Sequence, residues 1–186
     1  RLRAFVEAVL AYTGAPRVNI IGHSMGVSLG RKVIKGGPAL ITAQEIIKLD
    51  RLKDRVKTFI GLAGANLGLT HATQQVQSQL AMQRMDSTLD SQPHQAISFL
   101  KQFEQIRGAE ADKVYTIWSK YDDLILYECV VWGKVTCRIP GQNGEVEKTT
   151  PEWTHFAVRD NTGPDFTIGS DQFKHFIYQK IIKTKS

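Results

Sequence analysis

The pentapeptide Gly22-His23-Ser24-Met25-Gly26 places a serine between two glycines, one two residues before it and one two residues after. That is the spelling of a nucleophile elbow, in which the serine sits on a strained strand-to-helix turn and the small residues let two backbones pass closely. A serine hydroxyl is a poor nucleophile at neutral pH. A base must take its proton, and a carboxylate must orient the base. In elbow-bearing sheets the acid and then the histidine follow the serine along the chain. The acid is expected in Ser119-Lys120-Tyr121-Asp122-Asp123-Leu124-Ile125, just past a candidate strand. Asp122 is the choice, with Leu124 and Ile125 locking its turn and Asp123 turned away; Asp123 is the alternative. Of five histidines, His23 lies inside the elbow, His71 and His94 precede the acid, and His175 falls inside a candidate final helix. His155, in Trp153-Thr154-His155-Phe156, is left as the base. The backbone N–H of Met25 is expected to donate to the developing oxyanion, with a second donor from a loop after an earlier strand.

These residues need a sheet edge to converge on. Leu2, Phe5, Val6, Val9 and Leu10 recur at helical spacing, and Gly14 and Pro16 stop the helix. Val18-Asn19-Ile20-Ile21 reads as a strand covered on both faces, and the elbow follows directly; a helix then runs to about Ile34, before Gly36-Gly37-Pro38. Thr42-Ala43-Gln44-Glu45 spells a capping box, which predicts a helix over Ile46 to Leu52. Val56 to Leu62 and Val114 to Trp118 read as buried strands, and Gly61, Gly64 and Gly68 as loop markers. Weak helices are expected from His71 to about Met85 and around Ala96 to Phe103, and a final helix after Ser170 carries Phe173, Phe176, Ile177 and Ile181. From about Cys129 to Trp153, β-formers mixed with turn residues read as a hairpin and loop. Strands alternating with helices give an α/β fold with a parallel sheet flanked by helices. The elbow strand is expected inside that sheet with nothing upstream to pair with it. Residues 1–186 are accordingly expected to be the C-terminal part of one larger domain whose N-terminal strands, and second oxyanion donor, are missing, leaving the chain alone an incomplete catalyst.

Composition narrows the partners. The chain has 186 residues, 42% hydrophobic and 23% charged, the make-up of one ordinary globular domain. No run approaches the ~18 apolar residues of a membrane span, and Arg1-Leu2-Arg3-Ala4 contains neither an initiator Met nor a signal-peptide core. The net charge is +6. Its basic groups, Lys48 to Lys57 and Lys174 to Lys185, alternate with acids or aliphatics as solvated helix faces do, which argues against nucleic acid as a partner. Cys129 and Cys137 are too few for a disulfide scaffold or a four-ligand zinc site but could close one hairpin.

Four landmarks in order resemble the class 2 lipases, small α/β-hydrolase lipases and esterases found in bacteria and, in a longer form, in nematodes. They are Val18-Asn19-Ile20-Ile21-Gly22-His23-Ser24-Met25-Gly26-Val27, Phe59-Ile60-Gly61-Leu62-Ala63-Gly64-Ala65-Asn66, Tyr115-Thr116-Ile117-Trp118-Ser119-Lys120-Tyr121-Asp122-Asp123, and His155-Phe156. The resemblance implies an α/β-hydrolase fold and hydrolysis of carboxylic esters, acylglycerols included. It implies no cofactor and no metal, and a triad on Ser24, Asp122 and His155. The substrate is a lipid or small ester, with contact at a lipid surface possible. The Cys129 to Cys137 loop is similar to that of nematode-like members, which implies a disulfide and a secreted protein. In the 71–107 segment Val76, Leu80 and Met82 are candidate acyl-pocket walls, with ordinary helix packing as the alternative. The rival to a serine ester hydrolase is a non-catalytic relative of the fold, a binding module or inactive fragment.

Overall fold

A computed structural model describes residues 1–40, 46–67, 110–125, 127–131, 133–160 and 179–180. Helix α1 (Leu2–Thr13) buries Val6 and Leu10 and ends at Gly14, whose φ of 64° is the left-handed conformation that glycine adopts without strain. Strand β1 (Val18–His23) leads straight into helix α2 (Met25–Lys35). Val6 and Leu10 of α1 pack with Val33 of α2 and with Leu52, while Val27 and Ile34 of α2 lie on the sheet.

The sheet has the order β1, β4 (Val56–Leu62), β5 (Lys113–Ser119), β8 (Gly144–Lys148), and all its pairings are parallel. One face joins Phe59 and Val114 to Val27, Ile34 and Ile139; the other joins Ile60, Leu62, Tyr115 and Ile117 to Val158 of the short helix α3 (Ala157–Asp160). Strands β4 and β5 are apolar on both faces because both faces are covered, as befits the middle of a parallel sheet. This is the layered, parallel arrangement of an α/β-hydrolase sheet. Among the described residues no helix is long and apolar enough to cross a membrane.

Four expectations are corrected. Ile46–Leu49 is not helical but forms strand β3, antiparallel to β2 (Gly37–Leu40). Its residues alternate between exposed and half-buried, and pairing with a neighbouring extended segment overrides a capping-box spelling whose residues 42–45 lie outside the described residues. Gly61 belongs to β4, not to a loop. The 129–153 stretch does contain a hairpin, β6 (Val130–Val131) with β7 (Lys134–Val135), but it also supplies β8 as a fourth parallel strand. Finally, β1 is covered on one face only: Val18 and Ile20 pack inward while Asn19 is exposed and Ile21 is 47% exposed, with β1 at the sheet edge among the described residues. The helices expected around 71–85, 96–103 and after Ser170, with Val76, Leu80 and Met82, lie outside the described residues.

Candidate active site

Because the strands are parallel, the segments that follow β1, β5 and β8 emerge at one edge of the sheet, where ligands of such folds bind. Ser24 follows β1, Asp122 follows β5, and His155 follows β8. Ser24 has φ 55° and ψ −127°, a conformation that costs a non-glycine residue of order 1–3 kcal/mol and persists only when its surroundings impose it. Two backbone bonds do so: Ser24 N–H donates to the Leu62 carbonyl at 2.9 Å, and Val27 N–H donates to the Ser24 carbonyl at 3.0 Å. A Cβ at Gly22 would lie 2.9 Å from the Gly26 carbonyl oxygen, so the strand and the helix approach too closely there for any side chain. At Gly26 a Cβ would meet nothing within 4 Å. Of the two elbow glycines, only Gly22 is therefore demanded by close approach. Met25 is the first residue of α2, so its N–H belongs to the positive end of that helix, and its side chain is 70% exposed.

The candidate acid and the candidate base meet in the interior. His155 Nδ1 lies 2.7 Å from Asp122 Oδ2, and the two residues are 1% and 3% exposed. The other carboxylate oxygen, Oδ1, accepts the N–H groups of Leu124 (3.0 Å) and Ile125 (2.7 Å). Leu124 and Ile125 thus hold the turn through their backbones, with Ile125 buried and Leu124 39% exposed. A carboxylate that already accepts two backbone donors cannot easily swing away from the ring. Since Oδ2 accepts, Nδ1 carries the proton, and in the neutral ring Nε2 carries the lone pair. That Nε2 is buried without a hydrogen-bond partner among the described residues.

Asp123 is not turned away. Its Oδ1 accepts the His155 backbone N–H at 2.8 Å. His23, which nothing but its place in the elbow singles out in the sequence, reaches the same residue: its Nε2 lies 3.0 Å from the His155 carbonyl oxygen, and the two rings are 4.8 Å apart. A carbonyl can only accept, so His23 Nε2 carries the proton. Burial pushes the His23 ring below its ordinary pKa; the bond to His155 opposes this, His155 and Arg159 add to it, and Asp122 pulls back. The structure therefore joins Asp122 to His155 directly, and ties His155 to the elbow through the residue adjoining Ser24.

Cys129 and Cys137 are bonded, with Cα atoms 5.7 Å apart. The disulfide lies beside the acid, with side-chain atoms of Asp122, Cys129 and Cys137 within 4.8 Å of one another. It packs with Trp118 and Ile125, so the hairpin is pinned beneath the Asp122 turn.

A second buried polar cluster went unread in the sequence. Arg31 of α2 donates through Nε to Glu110 Oε1 (2.7 Å) and through a terminal nitrogen to Asn66 Oδ1 (3.0 Å), and Lys35 Nζ lies 3.4 Å from the same Glu110 oxygen. Arg31 and Lys35 share the buried face of α2 with Val27 and Ile34. Two cations at i and i+4 on an otherwise apolar stripe are the signal that would have found it.

The family model for class 2 lipase matches residues 1–165. No curated protein matches the chain. A solved α/β hydrolase enzyme from the metagenome of sediments of the Mar Chica lagoon, Morocco, is similar at 11% identity and a TM-score of 0.49, over 96% of this chain and 68% of that one. With the family model spanning the elbow, the acid turn and the histidine loop alike, this chain belongs to the class 2 lipase family, a family of hydrolases.

Proposed function

We propose that this protein hydrolyses carboxylic esters, lipid esters among them, through Ser24, His155 and Asp122. The observation that carries this is the buried His155 ring, with Nδ1 on Asp122, Nε2 without a hydrogen-bond partner, and the ring 4.8 Å from that of His23, the residue before the elbow serine. In the reaction Ser24 Oγ attacks the acyl carbonyl while Nε2 takes its proton. The tetrahedral oxyanion draws on the Met25 N–H, and Nε2 returns the proton to the departing alcohol. Water then repeats the sequence on the acyl-enzyme and releases the acid. Asp122 keeps Nδ1 protonated, so that Nε2 is free to act as the base, and it stabilises the imidazolium that forms. The Cys129–Cys137 bond is the kind that persists in an oxidising compartment, which supports a secreted protein.

The test is covalent labelling with a fluorophosphonate, read by mass spectrometry of the labelled peptide, alongside turnover of a short-chain ester. Label on Ser24, and loss of turnover by roughly 10⁴-fold or more in Ser24→Ala, is the expected result. An unlabelled protein, or a Ser24→Ala variant within tenfold of wild type, would sink the reading in favour of a binding module.

A further inference from the structure

The bond from Nδ1 to Asp122 fixes only one side of the imidazole, and a ring on a loop can still swing about its own backbone. The His155 peptide groups are held from two further directions. Asp123 Oδ1 accepts its N–H at 2.8 Å, and His23 Nε2 donates to its carbonyl at 3.0 Å. The His23 ring also packs 4.8 Å from the His155 ring, inclined at 50°, and 6.1 Å from Phe156. These contacts come from two separate elements of the sheet edge. His23 ends β1 and adjoins Ser24; Asp123 follows β5 and adjoins Asp122.

We propose that His23 and Asp123 are positioning residues that brace the backbone of His155 from opposite sides and so hold its Nε2 in register with Ser24. The proposal rests on the triad reading given above, and it goes beyond that reading in assigning work to the neighbour of each outer triad member. Each brace couples the histidine to the element that carries one of its partners. A shift of the elbow or of the acid turn is therefore transmitted to His155, and the three groups move as a unit. The brace also has an electrostatic condition. When His155 becomes an imidazolium, a charged ring 4.8 Å away would oppose it. His23 faces His155, Arg159 and Asp122. Burial favours its neutral form, in which the proton it retains is the one given to the His155 carbonyl.

The experiment pairs each loss with a conservative rescue. His23→Leu keeps the bulk and removes the donor, whereas His23→Gln returns an amide N–H near the place of Nε2. Asp123→Ala removes the acceptor, and Asp123→Asn restores one. Two readouts are taken: the fluorophosphonate labelling rate at Ser24 across pH, and the NMR signal of the His155 Nδ1 proton. Misplacing a reacting group by about 1 Å can cost ~10²-fold. His23→Leu and Asp123→Ala should therefore slow labelling by about tenfold to a hundredfold and broaden or move the Nδ1 proton signal, while Gln and Asn recover most of both. If Leu performs as well as Gln, and Ala as well as Asn, the brace is wrong. Failure of the wild-type protein to label overturns the hydrolase reading alone, since the Nδ1 proton signal still reports whether His155 is held. Asp123 is exposed, so its variants keep the test open should His23→Leu fail to fold.

Discussion

Two buried polar constellations sit at opposite ends of a single design choice. Around Glu110 the carboxylate is 1% exposed and meets Arg31 and Lys35, while Asn66 takes a further Arg31 donor. Around His155 the ring is also 1% exposed, but Nε2 is the one buried side-chain nitrogen or oxygen among the described residues without a hydrogen bond. Burying a polar atom without a partner costs of order 1–3 kcal/mol. The first cluster avoids that cost, since none of its buried side-chain nitrogens and oxygens lacks a partner. The second bears it at one atom, and that atom is the nitrogen the proposed general base would use. Saturation suits a tether between α2 and the segments that follow β4 and precede β5; the unpartnered Nε2 suits the role proposed for His155.

The two constellations part most visibly when one acid in each is turned into its amide. Asp122→Asn should let the amide donate to His155 and reverse its tautomer, lowering ester turnover by ~10⁴-fold while changing stability by no more than about 2 kcal/mol. Glu110→Gln should do the opposite. It removes the carboxylate charge that Arg31 and Lys35 share and should lower unfolding free energy by roughly 3–5 kcal/mol, with the turnover of the folded fraction little altered. Denaturant titration and turnover measured on the same samples separate the two. If Glu110→Gln costs activity and not stability, the saturated cluster is not merely a tether.

A smaller effect concerns how closely α2 lies on the sheet. A Cβ at Gly64 would sit 2.8 Å from Val27 Cβ and 3.0 Å from Asn66 Nδ2, with no flexible tip to move aside. Gly64→Ala should destabilise by about 1–3 kcal/mol, and it should disturb the Asn66 end of the saturated cluster. Gly26→Ala enters open space inside a helix and should stabilise by up to ~1 kcal/mol. Thermal unfolding of the two variants side by side is the measurement. Equal shifts would mean that the elbow helix is packed differently from the geometry described.

How much of this the sequence disclosed depended on whether local pattern and tertiary partner agreed. Helix α1, helix α2 and strands β4 and β5 were legible because a stripe of apolar residues, a stopping glycine or a run buried on both faces is written in the local sequence. Strand β3 was misread because four residues after a capping spelling cannot declare a hairpin partner. Strand β8 was missed because Gly144-Glu145-Val146-Glu147-Lys148 has one apolar residue other than its glycine. Its place is fixed by tertiary contacts: Glu145 takes both Arg138 and Trp118 Nε1, Glu147 pairs with Lys120, and Asn143 Oδ1 accepts the Val114 N–H. At the site, spacing and chain order singled out Ser24, Asp122 and His155. What Asp123 and His23 touch was beyond it, since a hydrogen bond to a backbone 132 residues away leaves no local trace.

Protons act on the two constellations most gently. His23, in the open constellation, is half-buried and its pKa is lowered from the ordinary 6.5, chiefly by desolvation. In the unfolded chain it titrates near that ordinary value. As pH falls through about 6.5 the unfolded state therefore takes up a proton that the folded state still refuses, and the folded state loses ground. The loss begins at the unfolded pKa and is complete below the lowered folded one; above both values His23 contributes no pH dependence. Wild type should accordingly lose stability more steeply than His23→Gln as pH is lowered from about 7 to about 5, because glutamine keeps a donor but cannot titrate. Taking the difference between the two proteins removes the contributions of other titrating groups that they share. Chemical denaturation at a series of pH values supplies the numbers. Parallel curves would mean that His23 protonates as freely in the folded protein as in the unfolded chain, and the neutral neighbour that His155 needs when it becomes positive would be lost along with it.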